Sequence, residues 1–267
     1  MNLLTEAGIK IAGSKRTLLI ESTNFPIEVL YLRDDDIPGV VEQGSADLGI
    51  VGLNEVEETG AKVRVVRKMG FGACRLSLAI PKEQEYTGPQ FFSGKRIATS
   101  YPEILSRWLK ANNVNAQIQK IMGSVEISPA AGLADAIFDI VSSGGTLVSN
   151  GLKEVETVLY SEAVLVAREN LEPEKQEILD KMLFRFDAVM ESGGKKYILM
   201  NIPTAKLEEA VKILPAMRSP TVMPLAAEGW CSLHSVVRES ELWDKIERLK
   251  ELGAEGILVL HLDKVID

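Results

Sequence analysis

The sequence predicts an α/β protein of two lobes with a small α/β module at its C-terminal end, and three stretches carry that expectation. Ile27–Leu32, Pro38–Gln43 and Asp47–Gly52 read as strand, short helix and strand closing on glycine. That is the order of a parallel α/β layer, in which ligands gather beyond the carboxyl ends of strands. Ala136–Val141 is an apolar strand running through Ser142-Ser143-Gly144-Gly145 into a helix start at Thr146-Leu147-Val148. From Lys196 to His261 the pattern reads β-α-β-β-α-β, a ferredoxin-like split βαβ.

Composition bounds the function. The chain has 267 residues, 46% apolar and 25% charged, enough to bury two or three cores. No apolar run reaches the roughly 18 residues of a membrane span. Met1–Glu6 lacks a basic stretch ahead of an apolar core, so an export signal is not expected either. Cys74 and Cys231 are the only cysteines, His234 and His261 the only histidines. Neither a disulfide framework nor a zinc site is expected, and a reducing cytoplasm fits. The net charge of −8 argues against nucleic-acid binding. It leaves room for small polyphosphates, much of whose charge would then need Mg²⁺.

Taken in order, residues 3–12 read as the end of an amphipathic helix entering a loop. Arg16–Glu21 and Ile27–Leu32 are two strands joined around Asn24-Phe25-Pro26. Asp34, Asp35 and Asp36 precede a helix opened by Pro38, where acids suit the dipole, and Gly44-Ser45-Ala46 ends it. Lys62–Met69 and Cys74–Ile80 are further strands, the second stopping at Pro81 and leading into the second lobe. There follow a strand at Lys95–Ser100, a helix at Glu103–Asn112 after Tyr101-Pro102, and a strand at Asn115–Ile121. Glu154–Val166 reads as one return strand, which makes the first lobe discontinuous. In Glu172–Met190, Ile178, Met182 and Phe186 fall on one face of a helix. Gly193-Gly194 then marks a boundary. The expected divisions are residues 1–79 with 156–190, 80–155, and 191–267.

The stretch Gly123–Leu152 concentrates the chemistry. Two glycines let backbone N–H groups approach a ligand, and a helix start adds unpaired donors. Ser142, Ser143 and Thr146 supply hydroxyls that can wrap phosphate oxygens. Glu126, Asp135 and Asp139 cannot hold phosphate, but they can accept from sugar hydroxyls or stand beside a hydrated Mg²⁺. Two readings fit at this point: a site for a phosphorylated sugar, or an ordinary strand–turn–helix connection with a capping hydroxyl.

Several motifs, in order, carry a resemblance. They are Arg33-Asp34-Asp35-Asp36-Ile37-Pro38, Asp47-Leu48-Gly49-Ile50-Val51-Gly52, Ile97-Ala98-Thr99-Ser100-Tyr101-Pro102 and Gly123-Ser124-Val125-Glu126. Gly132–Ile137, Asp139–Leu147, Arg218-Ser219-Pro220-Thr221-Val222 and Glu228-Gly229-Trp230 complete the set. Together they cover almost the whole chain, which resembles the long form of the ATP phosphoribosyltransferase family. The resemblance implies a two-lobed, periplasmic-binding-protein-like catalytic core with a C-terminal ferredoxin-like (ACT-like) regulatory domain. It implies transfer of a phosphoribosyl group from phosphoribosyl pyrophosphate (PRPP) to N1 of ATP with Mg²⁺ present, feedback inhibition by histidine, and a homo-oligomer of dimers or hexamers.

Carried onto this sequence, the resemblance implies that Asp139, Ser142, Ser143, Gly144, Gly145, Thr146 and Leu147 hold PRPP. Glu126 and Asp139 then contact ribose hydroxyls or a Mg²⁺ shell as the catalytic acids. Arg33, Asp47, Leu48, Tyr101 and Glu126 serve ATP, with Tyr101 packing on adenine. No side-chain base is needed, because adenine N1 attacks with its own lone pair. Asn201, Thr221, Leu225 and Ala254 line the histidine pocket; Thr221 and Leu225 equally suit strand and loop packing. His234 and His261, on strands, read as structural, and Asp34 and Asp35 as helix-start acids.

One feature departs from the family. Its members carry a strand and a basic turn, about sixteen residues, ahead of the segment resembling Leu3–Gly8; without them a sheet edge is expected to lie open and the cleft to lose positive charge. Two alternatives therefore stand beside the enzyme. One is a catalytically impaired form that still binds histidine; the other is a two-lobed ligand-binding protein without chemistry.

Overall fold

The computed structural model describes residues 3–11, 18–214 and 219–266. The expected strand start at Arg16-Thr17 and the Arg218 end of the C-terminal motif lie outside the described residues. The chain divides into two units, Tyr31–Glu172 and Met1–Leu30 with Pro173–Asp267.

The second of these opens with helix α1 (Leu3–Glu6) and an antiparallel pair, β1 (Leu19–Glu21) and β2 (Glu28–Leu30). Asn24 staples the turn between the strands. Its Nδ2 donates to the Gly8 carbonyl at 2.9 Å, and its Oδ1 accepts from the Lys10 N–H at 2.9 Å.

In the Tyr31–Glu172 unit, α2 (Ile37–Glu42), β3 (Leu48–Gly52), α3 (Leu53–Thr59) and β4 (Val63–Lys68) come first. Pro38 at the start of α2 sets the first turn. Gly49 has no side chain for a packing reason: a Cβ there would lie 2.6 Å from Ile37 Cγ2 and 3.1 Å from Val41 Cγ2. The absence of that carbon lets α2 rest directly on β3. Next come β5 (Cys74–Pro81), β6 (Arg96–Thr99), α4 (Pro102–Ala111), β7 (Gln117–Lys120), β8 (Ala136–Val141), α5 (Gly145–Ser149), β9 (Leu152–Ser161) and β10 (Ala163–Arg168).

Two sheets result, ordered β3-β10-β4 and β7-β6-β8-β5-β9. The expected parallel layer around β3 is corrected here. β10 returns between β3 and β4 and is antiparallel to both, with Val164 to Ala167 buried at its centre. The expected single return strand is in fact two, broken at Glu162, each pairing in a different sheet. Because β5 and β9 are antiparallel neighbours along their length, the five-stranded sheet runs from Cys74 to Ser161, wider than the expected 80–155. Among the described strands the parallel pairings are those of β6 with β7 and with β8. This sheet buries Leu76, Leu78, Ile97, Phe138 and Phe92 completely. Phe92 meets Phe91 and Trp108 edge-on, with ring centroids 5.3 and 6.1 Å away; such pairs contribute about 0.5–1.5 kcal/mol each beyond area burial.

The remaining elements are α6 (Pro173–Ser192), β11 (Lys195–Pro203), α7 (Leu207–Ile213), β12 (Thr221–Pro224), β13 (Trp230–Arg238), α8 (Leu242–Glu251) and β14 (Glu255–His261). The order β12-β13-β11-β14, antiparallel throughout, is that of the expected ferredoxin-like module. Ile198, Met200, Ile202 and Leu233 face α7 and α8 in a shared core with Leu242 and Leu249. The C-terminal segment is laced to α6. Val265 N–H donates to the Ala188 carbonyl at 2.8 Å, and Ser192 Oγ donates to that of Asp263 at 3.0 Å.

Candidate active site and regulatory module

A cleft of about 400 Å³ is lined by Arg33, Asp34, Asp35, Glu55, Ser100, Tyr101 and Met122. Tyr101 precedes Pro102, which keeps it out of helical geometry at the mouth of α4. Its backbone N–H donates to Thr99 Oγ1 at 2.8 Å, and its hydroxyl donates to Glu55 Oε1 at 3.0 Å. The same Oε1 accepts from Asn54 Nδ2 at 2.8 Å. Asn54 is buried and exchanges two bonds with Ser161, its N–H donating to Ser161 Oγ and its Oδ1 accepting from that hydroxyl. Burial raises the Glu55 carboxyl above the usual range, with Asp34, Asp35 and Glu58 adding to the effect and the Tyr101 hydrogen bond opposing it. The Tyr101 phenol is pushed up by burial first and then by Glu55.

Helix α3 also fastens α4. Glu58 accepts from the Glu103 and Ile104 N–H groups at 3.0 Å each, so a carboxylate already occupies that helix start. Arg107 Nη2 donates to the Glu57 carbonyl at 2.7 Å.

Part of the expected nucleotide set lines this cleft. Arg33 and Tyr101 do, Glu126 does not, and neither do Asp47 and Leu48. They open β3 at the end opposite Asn54 and Glu55, about 17 Å of strand away. Asp47 instead pairs with Arg168 at 3.3 Å. Asp34 and Asp35 are corrected: both line the cleft, and Asp35 takes the Arg33 guanidinium on both oxygens, at 3.0 and 3.3 Å. The first turn of α2 holds no acid, and its N-cap, Asp36, makes no side-chain capping bond.

At the end of β8, Ser142 and Ser143 are exposed, and Gly144 turns the chain with φ of +81°. That conformation is one glycine adopts without strain. Because α5 has only five residues, its dipole is small and the donors of this loop are individual N–H and hydroxyl groups. Thr146 is exposed, whereas the Leu147 side chain is buried with Val141 and Leu152. Leu147 can therefore face a ligand only through its backbone.

Arg75 holds this loop from behind. Its Nη1 donates to the Ser142 carbonyl at 3.0 Å while its Nε and Nη2 grip both oxygens of Glu154. Arg75, helped by Ser77, keeps the Glu154 carboxyl down at about 2.

Asp139 is half-buried and accepts from the Ile140 N–H at 2.8 Å. Burial raises its carboxyl, the charge of Glu126 raises it further, and its own charge reaches Tyr101. Glu126 follows Ser124, a non-glycine residue held at φ of +51°, a strained conformation of the kind that clusters at functional sites. The fold thus brings Glu126, Asp139, the Ser142–Thr146 loop and Tyr101 into one region. Among the described residues no group of three His, Cys, Asp or Glu could hold a metal ion. The Glu126–Asp139 pair suits a hydrated cation whose other ligands are phosphate oxygens.

In the C-terminal module the cross-strand pairs Asn201↔Ser232 and Thr221↔His234 put four polar residues on the sheet face opposite the helices. Leu225 N–H donates to the Trp230 carbonyl and closes the β12–β13 turn. Ala254 is buried in the apolar core, so its side chain does not line an open pocket on that face. His234 is bonded on both ring nitrogens, to Tyr197 Oη at 2.8 Å and Ser232 Oγ at 2.9 Å.

A hydroxyl- and glycine-rich loop beside two carboxylates, with a cleft on the same α/β unit and a ferredoxin-like module after it in the chain, fits the class of proteins that bind phosphorylated sugars. The family model for "ATP phosphoribosyltransferase" matches residues 33–188, and that for "HisG, C-terminal domain" matches 193–264. An ATP phosphoribosyltransferase of Bacteroides thetaiotaomicron is 60% identical over all of this chain and 94% of its own length. One from Cytophaga hutchinsonii is 54% identical over 100% and 93%. Among solved structures, a chain of the ATP phosphoribosyl transferase (HisG:HisZ) complex from Thermotoga maritima aligns with a TM-score of 0.61 at 25% identity. That alignment covers 70% of this chain and 91% of that one. The chain belongs to the ATP phosphoribosyltransferase family, in its long form. It is an enzyme that transfers the 5-phosphoribosyl group of PRPP to N1 of ATP, releasing pyrophosphate and opening histidine biosynthesis.

Asn54, Glu55, Glu58 and Arg75 escaped the sequence reading. The available signal was position: Leu53–Thr59 starts at the carboxyl end of β3, where α/β ligands gather, and carries three glutamates.

Proposed function

We propose that the cleft at Tyr101 receives the base and ribose of ATP, and that the Ser142–Thr146 loop receives the 5′-phosphate of PRPP. The observation that supports this most directly is the grouping of Asp139, beside Glu126, with both Tyr101 and the loop. Displacement at an anomeric carbon passes through a cation-like state, so catalysis needs position and negative charge more than a base. Glu126 and Asp139 supply that charge and accept from ribose hydroxyls. Mg²⁺, carried on the pyrophosphate of PRPP, offsets the charge of the leaving group; Glu126 and Asp139 are the residues that would meet its water shell. Arg33 offsets the nucleotide phosphates. The acids Asp34, Asp35 and Glu55 face the base rather than the triphosphate, since they would repel the latter.

The C-terminal module binds histidine as inhibitor, through Asn201 and Thr221 on the open sheet face, in a cytoplasmic homo-oligomer. Pyrophosphate release from PRPP and ATP with Mg²⁺, with and without histidine, tests the scheme, with light scattering for the oligomer. Tyr101→Ala is expected to raise KM for ATP about tenfold or more, as loss of an aromatic platform does. An unchanged value would remove the nucleotide from this cleft.

A further inference from the structure

The Glu55 carboxylate has two different oxygens. Oε1 accepts from both the Tyr101 hydroxyl at 3.0 Å and Asn54 Nδ2 at 2.8 Å. Asn54 is in turn locked by its two bonds to Ser161. The carboxylate is therefore fixed in orientation from behind, and no donor among the described residues is bonded to Oε2. Glu55 lines the cleft with Tyr101, and Oε2 is the carboxylate oxygen left without a protein donor among the described residues.

Resting on the reading that this cleft takes the purine, we propose that Glu55 selects a 6-aminopurine and stabilises the positive charge that the reaction places on it. The step balances as follows. The N1 lone pair forms a bond to C1′ of the phosphoribosyl group as the C1′–O bond breaks, and that electron pair leaves on pyrophosphate. The purine, having given up its lone pair, carries one positive charge shared between N1 and the 6-amino nitrogen. An N–H of that amino group donates to Oε2, and the bond strengthens as the charge develops. A 6-oxopurine offers an acceptor there, which a carboxylate repels. The preference arises from an unpaired acceptor as much as from a good bond.

Charges on the neighbouring elements act in the same sense. Asp34 and Asp35 on the cleft wall and Glu58 on α3 are all negative, while Arg33 is engaged by Asp35. Together with burial they hold the Glu55 carboxyl above its ordinary value.

The test uses the full chain and Glu55→Gln, whose amide oxygen still accepts from Tyr101 and Asn54. Competitive inhibition against ATP is measured with AMP and with IMP, which differ at C6. The native chain is expected to prefer AMP by about tenfold or more, and Glu55→Gln to lose or reverse that preference, because its oxygen stays with Tyr101 and Asn54 and its NH2 takes the Oε2 position. KM for PRPP stays within about twofold. An unchanged AMP preference overturns the role of Glu55. If Tyr101→Ala also leaves KM for ATP unchanged, the purine site itself is elsewhere. A raised KM in Tyr101→Ala with an unmoved AMP preference in Glu55→Gln overturns Glu55 alone.

Discussion

Thr146 and Arg75 show how single side chains would divide the work of the proposed phosphate loop. Thr146 is exposed at the turn, and its hydroxyl is a neutral donor to an anion. Thr146→Ala is expected to raise KM for PRPP about tenfold, the cost of one hydrogen bond to a charged group. A KM equal to the native one would take the phosphate away from this loop. Arg75 touches the loop from the other side, through the Ser142 carbonyl, and its fork on Glu154 has a pH signature. The folded Glu154 carboxyl lies at about 2 against an ordinary 4.5. Its pairing therefore stabilises the fold above about pH 4.5, and the benefit is lost as pH falls toward 2. In Arg75→Gln the melting temperature should drop at neutral pH and fall less steeply between these values. Parallel melting-temperature curves for the two proteins would dismiss the pairing. Ser142, Gly144 and Thr146 were legible in the sequence because a turn of small residues after an apolar strand is a local pattern. Arg75, Glu154 and Glu55 were not, because their meaning lies in partners across the chain.

Strands and helices tell the same story over longer spans. Gly49 sits in the motif Asp47–Gly52, which reads simply as a strand, and its role is the direct seating of α2 on β3. Gly49→Ala forces Ile37 and Val41 aside and is expected to cost about 1–3 kcal/mol, read as a lower urea midpoint. A midpoint equal to the native one would show that α2 has room to move. Helix α3 was missed as a functional element, although its Glu55, Glu57 and Glu58 all engage α4 or the residue before it. The stretch Glu154–Val166 reads as one strand because nothing in Glu162 breaks a β pattern. The break appears only when β9 and β10 find different sheets.

For the molecule as a whole, the proposed histidine control gives the sharpest expectation. Removing residues 194–267 would strip α6 of the bonds that Asp263 and Val265 make to it, so a point variant is the cleaner probe. Thr221→Ala is expected to raise the histidine concentration for half-inhibition about tenfold. The same half-inhibitory concentration in both proteins would place the effector elsewhere. Family, reaction and the order of elements were settled by the sequence, because ordered motifs and local periodicity survive without any knowledge of contacts. The insertion of β10 between β3 and β4, the place of Asp47 and Leu48 at the far end of β3, the burial of Ala254 and the locking of Glu55 were decided only by tertiary structure. Strand pairing and burial join residues far apart along the chain, and no local pattern encodes which partner each will meet.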